Sequence, residues 1–207
     1  MPHDPHPEQR PLRQLYCLLM EELKRRRNII ADVSKFNLPQ GIAIELCYLQ
    51  LRMICELIAL GCLAAHGDIP AARSGKMRKE YRPGTILSEL ERLHADFYPV
   101  PGRQILGSNG APIRVERITE PYLTKSNLMT LWSECGKILH RGSMKDIDRP
   151  FVVDFNKIAE WDKQLLKLLS HHQIQLRDDR YQLWIIMQGK GNGRASVTLM
   201  EKTATVP

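Results

Sequence analysis

The stretch Ile42–Ala65, IAIELCYLQLRMICELIALGCLAA, is the longest apolar run in the chain. Its length would suit a membrane span, but Glu45, Gln50, Arg52 and Glu56 stand inside it. Ionised side chains are costly at a bilayer centre, so the pattern is read as a buried core helix. His66-Gly67-Asp68 and Pro70 supply its stop signal. No membrane association is expected.

Upstream, Leu12 to Lys35 places Leu15, Leu18, Leu19, Leu23, Ile29, Ile30 and Val33 at helical spacing. Asn37-Leu38-Pro39-Gln40-Gly41 breaks the pattern. Two helices joined by so short a break should form an antiparallel hairpin. Met1 to Pro11 holds four prolines and two histidines and lacks the apolar run of a signal peptide. It reads as a disordered arm.

Downstream, Pro83-Gly84-Thr85 opens a short helix, Ile86 to His94. Arg103–Leu106 and Ile113–Ile118 have strand character around Gly107-Ser108-Asn109-Gly110, a hairpin signal. Thr124 to His140 is helical, with Leu128, Leu131, Trp132, Cys135, Ile138 and Leu139 apolar and Gly142 as a stop. Asp154 to His171 is amphipathic through Ile158, Trp161, Leu165, Leu168 and Leu169. Ile174–Arg177, Tyr181–Gln188 and Ala195–Glu201 read as three strands, with Asp178-Asp179 and Gly189–Gly193 as turns. The expected fold is mainly α (α+β): a helical bundle over residues 12–172, a hairpin inserted near 103–118, and a small antiparallel sheet at 173–207.

Composition agrees with one globular unit. The chain has 207 residues, 43% hydrophobic and 26% charged, which excludes global disorder, collagen and coiled-coil-only classes. Its five cysteines, Cys17, Cys47, Cys55, Cys62 and Cys135, are odd in number and lack Cys-x-x-Cys spacing. They read as free thiols in a reducing cytoplasm. No metal-ligand cluster or phosphate-loop motif occurs, so no metal or cofactor is expected. Gly189–Arg194 precedes no helix and reads as a flexible turn.

The formal charge of +7 favours an acidic partner, nucleic acid being the commonest. Two clusters carry it locally: Arg25, Arg26 and Arg27, and the loop with Arg73, Lys76, Arg78, Lys79 and Arg82. Aromatics make up only 6%, which disfavours a base-stacking platform and leaves phosphate contact as the expected mode.

Two features can carry chemistry. At about 100° per residue, Glu45, Arg52 and Glu56 share one arc of the long helix. Charges amid apolar neighbours are either structural ion pairs or a functional stripe. His140 closes the Thr124 helix with Lys137 one turn before it, a placement for a general acid or base or for a protonated helix cap.

The phrase Glu45-x4-Gln50-Leu51-Arg52-x-Ile54-x-Glu56-Leu57-Ile58, followed by a helix ending Cys135-Gly136-Lys137-Ile138-Leu139-His140, resembles the divergent HEPN-like helical domains of bacteria. The resemblance implies a helical bundle, often dimeric, whose active members are metal-independent ribonucleases of toxin or phage-defence systems. Their motif is an arginine, a short spacer and a histidine on a late helix. Here Ser133, Glu134 and Cys135 occupy the spacing where that arginine would fall, and Lys137 stands nearer, so only His140 carries over. The expected catalytic set is therefore His140 as acid and base, with Arg52 or Lys137 as the cation. RNA is the expected partner. The rival expectation is a non-enzymatic module that forms a homo-oligomer, binds a protein through its C-terminal sheet, and uses Glu45, Arg52 and Glu56 only as structural ion pairs.

Overall fold

The computed structural model describes residues 9–108, 112–140, 154–189 and 191–202. Within them, five helices, α1 (Arg10–Asp32), α2 (Gln40–Ala65), α3 (Pro83–Leu93), α4 (Lys125–Leu139) and α5 (Phe155–Leu169), pack with one antiparallel sheet. Its strands are β1 (Val100–Leu106), β2 (Pro112–Arg117), β3 (His171–Gln175), β4 (Tyr181–Ile186) and β5 (Ser196–Glu201).

α2 is the central element. Fifteen of its residues are buried, including Ile44, Leu51, Ile54, Cys55, Ala59 and Cys62, so it is apolar nearly all round. It is long and apolar enough to cross a membrane, and 61% of its most apolar window lies buried inside the fold. α1 runs back along it and buries Tyr16, Met20, Leu23 and Ile30, a spacing that keeps one stripe inward. Between them a 3-10 turn, Val33–Phe36, ends on Asn37 in the left-handed region at φ 50. Asparagine tolerates that conformation better than most side chains, and Pro39 then starts α2. α4 and α5 begin on side-chain caps: Thr124 Oγ1 accepts from Asn127 N at 3.2 Å, and Asp154 Oδ1 from Lys157 N at 3.2 Å.

The strand order is β2-β1-β3-β4-β5, with every neighbouring pair antiparallel. The hairpin and the three C-terminal strands thus belong to one sheet, joined where Val100 and Pro101 pair with Gln173 and His172. The sheet's inner face carries His172, Ile174, Leu183 and Ile185, all at most 2% exposed. Its other face carries the half-buried Gln173, Gln175, Gln182 and Trp184.

Several boundaries differ from the sequence reading: α1 starts at Arg10 inside the expected arm, β1 at Val100 rather than Arg103, and β3 is His171–Gln175 rather than Ile174–Arg177. α5 ends at Leu169, not His171, and both histidines enter β3. Ser170 closes the helix by donating its hydroxyl to Leu166 O at 2.6 Å, and the His171 and His172 backbones pair with Ile186 and Ile185. Long-range strand pairing here overrides a helical periodicity. The expected stop at Gly142 and residues 1–8 of the N-terminal arm lie outside the described residues.

Candidate functional site on the second and fourth helices

Arg52 projects from α2 toward α4. Its Nε lies 3.6 Å from Glu56 Oε1, one turn along the same helix, with side-chain exposures of 21% and 15%. Its guanidinium carbon sits 4.4 Å from the centroid of Trp132, within cation–π range. A Cβ built on Gly136 would stand 3.2 Å from Arg52 Nη1. A side chain there would crowd the guanidinium, and Gly136 leaves room for the arginine against α4.

His140 caps the same helix. Its backbone N–H donates to Gly136 O at 2.9 Å, and its side chain is exposed. Gly136 and His140 are four residues apart, about 40° around the helix and about 6 Å along it. The Arg52 guanidinium therefore lies one turn from His140 on one side of α4. Lys137 is exposed and follows Gly136 directly in the chain. Trp132 and Gly136, four residues apart, mark the face of α4 that meets Arg52.

Nearby side chains limit the chemistry. Glu134 is held by α5, accepting from Lys157 Nζ at 2.9 Å and Trp161 Nε1 at 3.2 Å. The Cys135 thiol is pushed up to about 12 by burial, against a smaller opposing pull from Arg52. Burial likewise raises Cys55. Both stay neutral thiols, which removes them as nucleophiles. His140, exposed at the end of α4, is the imidazole nearest in sequence to this contact. Among the described residues no three His, Cys, Asp or Glu side chains converge as a metal set.

The structure separates the expected ion-pair stripe. Arg52 and Glu56 pair, but Glu45 is exposed and joins no ion pair among the described residues. The register needed to align all three holds along α2, yet α4 covers only the Arg52 end.

The first basic cluster is also redirected. Arg25 grips Glu22 through Nε at 2.8 Å and Nη2 at 2.7 Å, and Arg26 Nε reaches the same carboxylate at 2.7 Å. Arg26 Nη1 also donates to Gln50 Oε1 at 3.2 Å. Arg27 makes a two-point contact with Asp162 of α5, at 2.8 and 2.9 Å. All three guanidiniums are engaged by partners within the chain, and α1 uses Arg26 and Arg27 to hold α2 and α5. In the second cluster, Arg73 Nε donates to Gly67 O and Arg82 pairs with Glu80 at 2.9 Å. Lys76, Arg78 and Lys79 are exposed and carry no ion pair among the described residues. They are the part of the basic surface left for a phosphate partner.

All five cysteines are free, and four of them are buried. Searches of protein-family models, curated proteins and solved structures returned no match to the chain.

Proposed function

We propose that the protein is a cytoplasmic HEPN-like helical protein that acts on RNA as a metal-independent ribonuclease, in a toxin or phage-defence setting. The observation that supports this is the approach of Arg52 to Gly136, one helical turn from His140. His140 takes the proton from the attacking ribose hydroxyl and returns one to the leaving oxygen. Arg52, with Lys137 beside it, offsets the extra negative charge on the phosphorus-centred transition state. Lys76, Arg78 and Lys79 contact backbone phosphates elsewhere on the strand. The test is incubation of purified protein with total RNA in the presence of a chelator, wild type against His140→Ala. Cleavage by wild type alone supports the assignment. Equal cleavage, or none from either protein, overturns it.

A second reading is favoured by one observation: Arg52 is already engaged by Glu56 and Trp132, as a structural cation would be. On that reading the bundle is a non-enzymatic homodimeric module. An edge strand of the sheet, β2 or β5, would take a protein partner. Arg52→Met would then lower the melting temperature and leave RNA chemistry untouched.

A further inference from the structure

A cleft of about 800 Å³ lies between α5 and the β1–β2 ribbon and closes on the start of β3 and the end of β4. Its volume falls within the range of small-molecule sites. Leu106, Ile118, Leu166 and Ile186 give it an apolar wall. A second cavity of about 350 Å³ shares Leu166, Ser170 and Gln188 with it and continues toward Lys24 and Arg27. At about 100° per residue, Ala159, Lys163 and Leu166 of α5 face the cleft on the side away from Lys157 and Trp161, which hold Glu134 of α4. The cleft is thus separate from the Arg52–His140 face.

The charges of this cleft are unbalanced. Asp162 is occupied by Arg27 at 2.8 Å, and Lys167 by Glu120 at 3.5 Å. Arg103 and Lys163, from two different elements, line the cleft with no ion pair among the described residues. Glu116 stands opposite Arg103 in the β1–β2 ladder but pairs with Arg114 at 2.6 Å. His171 donates Nδ1–H to Gly102 O at 3.1 Å and ties the cleft floor to β1. An apolar wall beside the cations Arg103 and Lys163, of which Arg103 also attracts Glu120, matches a small amphipathic anion.

We infer that this cleft is a ligand site for a small amphipathic anion, an apolar or aromatic body bearing one carboxylate or phosphate, with Arg103 and Lys163 on the charge and Leu166 against the body. The ligand class is independent of RNA cleavage.

The probe is 1-anilinonaphthalene-8-sulfonate, titrated by fluorescence against the whole protein, with decanoate and AMP as competitors. Saturable binding with displacement by decanoate supports a carboxylate ligand, and displacement by AMP a phosphate ligand. Displacement by neither overturns the proposal. Arg103→Glu and Lys163→Glu are each expected to weaken the probe about tenfold. Leu166→Trp, at a position 39% exposed, is expected to fill the cleft and abolish saturable binding without unfolding the protein, as an unchanged melt would verify. Lys35→Glu, on a surface lysine paired with Asp32, serves as the charge control and should bind as wild type. Unchanged affinity in both the charge-reversal variants and Leu166→Trp overturns the site.

Discussion

Tyr16 of α1 donates its hydroxyl to His172 Nε2 of β3 over 2.7 Å, and both side chains are buried, at 1% and 0% exposure. The imidazole's other nitrogen faces Leu169 O at 3.1 Å, and a carbonyl can only accept, so the proton sits on Nδ1. The ring is then neutral, with its Nε2 lone pair receiving the phenol. This contact fastens the helical layer to the sheet.

Acid should loosen that fastening. Burial holds His172 down at about 4, below its ordinary 6.5, with the Leu169 carbonyl opposing less strongly. A depressed histidine contributes full stability above the unfolded value and loses it as pH falls from 6.5 toward 4. The loss reaches about 3 kcal/mol below both values. Burial also lowers His66 and His171, which add in the same direction. Urea denaturation across the range from about pH 7 to about pH 4.5 should therefore show falling stability. His172→Gln should flatten the slope by close to one proton. An identical slope in the variant would remove His172 from the account.

Tyr16→Phe deletes only the hydroxyl and leaves Nε2 buried without its donor. The expected cost is about 1–3 kcal/mol at neutral pH. Denaturant midpoints measure it, with an unchanged m-value as the sign that the denatured state is the same.

Arg27→Lys should fail to replace arginine. Both Arg27 and Asp162 side chains are mostly covered, at 27% and 21% exposure, and the contact is two-pronged. A lysine cannot reproduce that geometry, so a drop of about 1–2 kcal/mol is expected in thermal melts. RNA affinity should stay constant in the same variant, because this guanidinium faces α5.

The opposite outcome is expected for the loop. Replacing Lys76, Arg78 and Lys79 with serine should leave the melt within about 0.5 kcal/mol of wild type. It should weaken single-stranded RNA binding and reduce the log–log salt slope by about 0.7 for each phosphate no longer neutralised. Binding measured from about 50 to about 200 mM salt decides, and an unchanged slope would discharge this loop from any role with RNA.

Gly136→Ala separates catalysis from stability. Alanine in a helix interior gains up to about 1 kcal/mol over glycine. Its methyl would stand 3.2 Å from Arg52 Nη1 and shift the guanidinium by a few tenths of an ångström. The proposed nuclease should keep or raise its melting temperature while losing cleavage. Loss of both together would point to a packing role for the seam.

Much of the architecture is legible because it is written locally. The apolar saturation of Ile42–Ala65, the Asn37–Gly41 break and the glycine-rich turn before β5 each act within a few residues. The single sheet is not legible, because Val100 meets Gln173 only through long-range pairing. The same reason hides the role of Arg27, whose partner Asp162 is 135 residues away. At the site, Arg52 stands out as a charge within an apolar run and His140 as a histidine closing a helix. Trp132 and Gly136 do not, since their importance lies in how closely α2 crosses α4.

The strand order carries a consequence for synthesis. β3, the middle strand, begins at His171, long after β1 begins at Val100, yet it must cover an edge of β1. A growing chain therefore leaves the ribosome with the ribbon's backbone donors and acceptors open until β3 has emerged. A stop codon placed before His171 would release a bundle bearing that open edge, a template for pairing with other nascent chains.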